Sequence, residues 1–258
     1  MRCLEPILDA FAEGRAAVLV TGRSLHDPDL DESGKVRPLF HLLARRARER
    51  FEMTIVRFNL AQGVVFEFGD AQQAARDEFT QGLRRTQLDA PLAVGGNTRM
   101  PHERALEILR ALQAAAHERR QVPKMLVLFE FSEDLAPVPQ NGQASDTTVQ
   151  LAEFAVLLAS DLRLRDSGIF FVFHGDEAHL EPRVARALPE LRLAQPARAD
   201  KRTFLDALHA STVRSAAQME DGLDADVIAH LTAGTPNVAS NKPSSQQRAA
   251  DVRCARRS

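Results

Sequence analysis

Met125-Leu126-Val127-Leu128-Phe129-Glu130-Phe131, preceded by Pro123 and followed by Ser132-Glu133-Asp134, is the stretch on which the fold turns. It is the most apolar strand of the chain, read as Lys124 to Phe131. An apolar run this short, bounded by turn residues, reads as a strand buried in a sheet. Beyond Lys124 at its start, its one charge, Glu130, falls near the strand's carboxyl end.

The segments around it repeat the same rhythm. Upstream, Ala16-Ala17-Val18-Leu19-Val20 is a second apolar run, and Thr21-Gly22 closes it. Met53 to Phe58 and Val64 to Phe68 are two further strands, separated by Asn59-Leu60-Ala61-Gln62-Gly63. Downstream, Gly168 introduces Ile169 to Phe173, and Leu191-Arg192-Leu193 is a short last strand. Helical patterns lie between them. Ile7, Leu8 and Phe11 mark a leading helix over 1–14, and Pro38 to Arg50 is amphipathic with Pro at its first turn. Residues 70–88 and Glu103 to Arg119 read as helices, as does a segment opened by Thr147-Thr148-Val149-Gln150, which has capping-box spacing. Lys201 to His209 and Leu223 to Ala233 complete the set. Residues 24–35, Pro91 to Pro101 and Pro137 to Ser145 read as loops.

Strands alternating with helices predict an α/β fold, a mostly parallel sheet with helices on both faces. The expected division is a leading helix at 1–14, an α/β domain at 15–209, a helical segment at 210–237 and a disordered tail at 238–258. The tail is rich in Ser, Gln, Asn, Arg and Ala, without apolar periodicity.

Composition narrows the function classes. The 258 residues are 44% apolar and 26% charged, with a formal net charge of -2. That balance gives no electrostatic pull toward nucleic acid or membrane. Tyr and Trp are absent, which counts against a single-strand binder that stacks bases on aromatic side chains. Cys3 and Cys254 form neither a metal pair nor a disulfide framework. With no secretory h-region near Met1 and no apolar run of roughly 20 residues, the expectation is a cytoplasmic protein.

A phosphate loop needs G-x-x-x-x-G-K-[ST], whose amides and lysine cradle phosphate while its hydroxyl holds Mg²⁺. The one Gly-Lys pair, Gly34-Lys35, has Asp29 where the first Gly belongs and Val36 where Ser or Thr belongs. It also lies among acids that repel phosphate. Nucleophile-elbow spacing is absent as well. What remains is a set of acids at strand ends. Met125 to Phe131 with Ser132-Glu133-Asp134 looks like a Walker B element, in which acids after a buried strand hold Mg²⁺ and activate water. Phe129 and Glu130 fill the places of the usual Asp and Glu. Glu130 is then the candidate catalytic acid, and Asp134 the metal ligand substituting for the missing Asp. The alternative is that Glu130, Glu133 and Asp134 are solvated strand-end acids. His174, leaving Ile169 to Phe173 with Gly175-Asp176-Glu177, is a second catalytic candidate near Glu130 if the two strands are neighbours. His174, Asp176 and His179 have no recognisable metal spacing. Arg183, Arg186, Arg192 and Arg198 form a basic stretch suited to a partner surface or a solvated face.

Taken together, Lys124 to Leu208 resembles the second half of an AAA+ or RecA-like ATPase core. A Walker B-like strand is followed by a helix and a strand with a polar turn. Then come Leu180-Glu181-Pro182-Arg183-Val184, Leu191-Arg192-Leu193, Pro196 and the helix Lys201-Arg202-Thr203-Phe204-Leu205. Asp221 to Asn237 is similar to the start of such a protein's helical lid. The likeness is to two-lobed bacterial and plastid AAA+ proteins, whose amino-terminal half lacks a phosphate loop. It implies a RecA/AAA-like three-layer sandwich and a non-catalytic module that assembles with or regulates a working ATPase. The implied partners are AAA+ subunits or a missing catalytic half, in a chain that is a truncated product of a longer ATPase. An ATP-binding ATPase with an unusual phosphate site, using ATP and Mg²⁺, is the alternative.

Overall fold

The structure, a computed structural model, describes residues 2–92, 101–118, 121–139 and 144–210. Its elements in chain order are α1 (Glu5–Ala12), β1 (Ala17–Gly22), β2 (Pro28–Leu30), β3 (Val36–Pro38), α2 (Leu39–Phe51), β4 (Thr54–Asn59), β5 (Gly63–Glu67), α3 (Gln73–Arg85) and α4 (Pro101–His117). They continue with β6 (Met125–Glu130), α5 (Ser132–Leu135), α6 (Asp146–Ser160), α7 (Leu162–Arg165), β7 (Ile169–His174), α8 (Pro182–Ala187), β8 (Glu190–Leu193) and α9 (Arg198–Ala210).

Six strands form one sheet in the order β5-β4-β6-β7-β1-β8. All neighbours are parallel except β4 and β5, which pair antiparallel. The mostly parallel α/β sheet flanked by helices is thus the observed architecture. β6 lies near its middle and is buried over its whole length, as are β4 and β7.

Burial on both faces follows from alternation along the strands. Met125, Val127 and Phe129 of β6 join Ile169, Phe171 and Phe173 of β7 and Val56 and Phe58 of β4 in one apolar core. Residues of α3, α4, α6 and α8 cover that face, among them Phe79, Leu112, Leu151 and Val184. A row of rings crosses it, with Phe129 centred 5.8 Å from Phe58 and 5.3 Å from Phe173. The intervening Leu126, Leu128, Phe170 and Val172 point the other way and are also fully buried. There, Phe11 of α1 meets Phe170 at 5.5 Å and Phe51 of α2 at 4.9 Å. A strand flanked on both sides has no use for polar alternation, which is why β6 reads as a continuous apolar run.

Several local expectations change. β5 runs antiparallel because Asn59 closes a tight connection: its side-chain oxygen accepts the N–H groups of Ala61 and Gln62, at 3.1 and 2.7 Å. That Asx-type turn sends the chain straight back. α6 is capped by Ser145, whose Oγ accepts the Thr148 N–H, rather than by Thr147. The stretch 180–187 holds α8, with Pro182 in its first turn and Glu181 as its cap. The loop expected at 24–35 contains β2 and is followed by β3. Together they make a two-stranded antiparallel pair. The loop expected at Pro91 to Pro101 lies mostly outside the described residues, as do the helical segment expected at 210–237, apart from Ala210, and the tail at 238–258.

The chain divides into two compact units. One comprises Arg2–Gly22 and His41–Leu193 and carries the large sheet. The other, among the described residues, comprises Arg23–Phe40 with 194–210 and carries β2, β3 and α9. Among the described residues, no helix is long and apolar enough to cross a membrane.

Asp161 ties three helices of the larger unit together. Its Oδ1 accepts the Arg163 N–H at 3.0 Å as the cap of α7. Its Oδ2 lies 2.6 Å from Nε2 of His117 and accepts from Gln113, both on α4. Burial pushes this carboxyl up, but the donors from His117, Arg163 and Gln113 outweigh it and hold it below the usual carboxylate range. A depressed acid stabilises the fold above its unfolded value, and that contribution is lost as pH falls through the folded one. Asp161→Asn is therefore expected to cost about 1–2 kcal/mol at neutral pH. The gap should close below about pH 4, the ordinary Asp value. Urea titrations of both proteins from pH 7 downward check this.

Candidate functional site

The carboxyl ends of parallel strands are where sites gather in open α/β sheets, above all where successive connections leave to opposite faces. In this sheet that edge is formed by Asn59 of β4, Glu130 of β6, His174 of β7 and Val20 of β1. Glu130 and His174 are direct register partners, as are His174 and Val20. The two catalytic candidates are therefore neighbours, both buried.

Glu130 is already committed. Its two oxygens lie 2.9 and 3.2 Å from Nη1 of Arg57, and its Oε2 accepts from the Asn59 amide at 2.7 Å. Arg57 also donates to Glu67 of β5 at 2.8 and 3.2 Å. The Glu130 side chain has no exposure and that of Arg57 only 8%. A charge so enclosed persists only when paired and hydrogen-bonded. Three donor contacts satisfy this carboxylate, so it is held as a structural anion.

Other acids near this edge are hydrogen-bonded but less enclosed. Glu133 Oε2 accepts the Asp176 N–H at 3.1 Å. A side chain at Gly175 would collide with that same oxygen, so Gly175 makes room for it. Gly175 itself donates its N–H to the Val20 carbonyl at 3.2 Å, closing the gap between β7 and β1. Asp176 accepts from Ala178 N–H and pairs with His179 at 2.8 Å. Those bonds hold its carboxyl below the usual range, the Ala178 N–H contributing most. Glu190 of β8 accepts from the Thr21 hydroxyl.

Asp134, the expected metal ligand, is exposed on α5, outside the bonds that hold Glu130. Among the described residues, no three His, Cys, Asp or Glu side chains are grouped to hold a metal ion. A Mg²⁺–nucleotide site needs only one or two carboxylates, since phosphate oxygens and waters supply the other ligands. Glu130 would have to leave Arg57 and Asn59 to take part.

Gly34-Lys35 is occupied in its own way. Asp31 Oδ1 accepts the N–H groups of Ser33 and Lys35, at 2.8 and 2.9 Å, and the Ser33 hydroxyl at 2.6 Å. The Ser33 hydroxyl, then the two amides, keep the Asp31 carboxyl below its ordinary range against a small burial penalty. The amides a phosphate would need are spent on the turn between β2 and β3.

That smaller unit also buries a charged cluster. Arg23 donates to Asp29 at 2.9 Å and to the Pro28 carbonyl at 3.1 Å, and stands 3.5 Å from Asp27. Burial raises the Asp27 carboxyl even though Arg23 and Lys201 favour its charge. Burial lowers the ammonium of Lys201, with Arg23 adding repulsion and Asp27 opposing it. The acids that look phosphate-repelling in the sequence are in part neutralised by Arg23.

Reading the sequence for acids at strand ends found Glu130 and His174 but missed Arg57, Asn59 and Glu67. A signal was there: Arg57 interrupts an apolar strand, and an arginine inside a buried strand demands an anion on a neighbouring one. The arginines of the basic stretch part company, with Arg183 and Arg186 on α8, Arg192 on β8 and Arg198 on α9.

No family model matches the chain, and no curated protein matches it. Among solved structures, it is similar to one from the HORMA:CdnC:Trip13 complex of E. coli MS115-1. The identity is 12% and the TM-score 0.47, over 89% of this chain and 68% of that one. A likeness at that distance assigns no family. The resemblance of Lys124 to Leu208 to an AAA+ or RecA-like ATPase, and to the amino-terminal half of two-lobed AAA+ proteins, is accordingly corrected. No family match supports it. The acid cast for catalysis is locked in an ion pair.

The network makes an asymmetric prediction. Arg57→Leu removes the cation that pairs with Glu130 and should cost about 3–5 kcal/mol, as breaking a buried pair does. Glu130→Leu leaves Arg57 with Glu67 and should cost clearly less. The double variant should be more stable than Arg57→Leu. Denaturant unfolding of the three proteins decides it, and equal losses for both single variants would contradict the assignment.

Proposed function

We propose that this chain is a non-catalytic α/β module that works by binding another protein, in an assembly or regulatory role. One observation carries the reading: the acid best placed for chemistry, Glu130, is buried in an ion pair with Arg57 and a hydrogen bond with Asn59. A general acid or metal ligand must meet substrate, ion or water during turnover. Glu130 reaches none of these without breaking the bonds that neutralise it.

The adjacency of Glu130 and His174 favours a second reading, acid–base chemistry by the pair. The carboxylate's full set of donors weighs against it. A fold without an available reacting group does its work through its surface.

ATP with Mg²⁺ separates module from ATPase. A ligand at about 100 times its Kd adds about 2.7 kcal/mol to the folded state. Thermal unfolding with millimolar ATP and Mg²⁺ should leave the transition unmoved. A saturable upward shift that disappears without nucleotide would overturn the proposal in favour of a nucleotide-binding protein.

A further inference from the structure

α6 is apolar on more sides than the core uses. From Leu151 to Ala159 its only charged residue is Glu153. Leu151, Ala155 and Leu158 face the core. Leu157, on another side, is 54% exposed. A helix apolar nearly all round is ordinarily covered nearly all round.

The uncovered side opens into a groove between α6 and α8 of about 630 Å³. Glu153, Val156 and Leu157 line one wall above the buried Ala152, and Arg183, Arg186 and Ala187 line the other. The volume lies within the range of about 300–1,000 Å³ that buried ligand groups fill.

Charge marks the occupant. Arg183, at one end, is balanced by Glu181 through bonds from its N–H and Nε at 2.7 and 2.8 Å. Arg186, one turn further along α8, is exposed and has no ion pair or hydrogen bond among the described residues. Glu153 on the α6 wall acts on Arg183, so Arg186 is the cation of the groove left without a partner among the described residues. With Val156 and Leu157 beside it, it suits a helix with an aliphatic stripe and an acid next to it.

We propose that this groove docks an amphipathic helix of a partner protein, its aliphatic side chains against Val156 and Leu157 and an Asp or Glu facing Arg186. This rests on the reading of the chain as a protein-binding module and adds the chemistry of what it binds.

The probe is a synthetic alanine-based helical peptide with leucines at i, i+4 and i+7 and a glutamate at i+3. Its twin carries lysine in place of glutamate. Each is titrated into the isotope-labelled full chain, with amide chemical shifts as readout. The glutamate peptide should perturb residues 152–157 and 183–187. It should bind about three- to fivefold tighter than the lysine twin, an exposed ion pair's worth. Leu157→Asp should weaken it about tenfold or more. Arg186→Glu should invert the preference between the peptides. Both substitutions fall on exposed side chains, and unchanged spectra elsewhere verify the fold.

No binding at millimolar peptide overturns the proposal, as does a preference that ignores Arg186. Concentration-dependent self-association abolished by Leu157→Asp overturns it in favour of a second copy of the chain. Peptide shifts confined to another surface overturn the groove but leave the protein-binding reading standing. Saturable ATP binding would remove that reading without bearing on the groove.

Discussion

Glu130 cannot be buried as an anion unless something neutralises it, and the organisation of one end of the sheet follows from that constraint. The carboxylate sits where β6 ends. It draws Arg57 from the middle of β4 and Asn59 from the end of the same strand. Arg57 in turn engages Glu67, which is within reach only because β5 folds back along β4. Asn59 takes part at both levels, its amide on the anion and its oxygen on the turn that makes β5 possible. Turn, antiparallel edge strand and buried charge are one cooperative arrangement, and low local dielectric strengthens each bond within it.

The same logic governs what the protein can do. An acid used for chemistry keeps one side open to substrate or ion. Glu130 is closed off, whereas Glu133, bonded to a loop amide, Asp176, bonded to its own turn and His179, and Glu190, bonded to Thr21, keep part of their surface open. The turn that holds Gly34-Lys35 spends its amides on Asp31. The surface then becomes the place to look for function, and α6 presents an apolar side that the core leaves uncovered.

Much of the fold was legible because burial writes itself into composition. β1, β4, β6 and β7 are apolar runs because each is covered on two faces. Register was legible in one respect: placing His174 beside Glu130 required only that β6 and β7 be neighbours. The direction of β5 was harder, since a short apolar segment looks the same in a parallel or antiparallel pair. Only Asn59's double use of its amide settles it. β2 and β3 hid in an acidic, turn-rich stretch because three-residue strands carry no measurable period. The role of Glu130 went astray for a different reason. An acid after an apolar strand has the same appearance whether it faces water or an arginine, and the deciding residue lay 73 positions away.

The Arg57–Glu130 pair also has a historical consequence. Freeing Glu130 for chemistry would require changing Arg57 and resettling Asn59 and Glu67 together. A lineage that made these changes one at a time would pass through chains holding a bare buried charge, against a total stability of only about 5–15 kcal/mol. The interior thus works as a ratchet. Once the acid is sealed in by its partners, mutation has easy access to new surfaces on this scaffold and poor access to an active site at the end of β6.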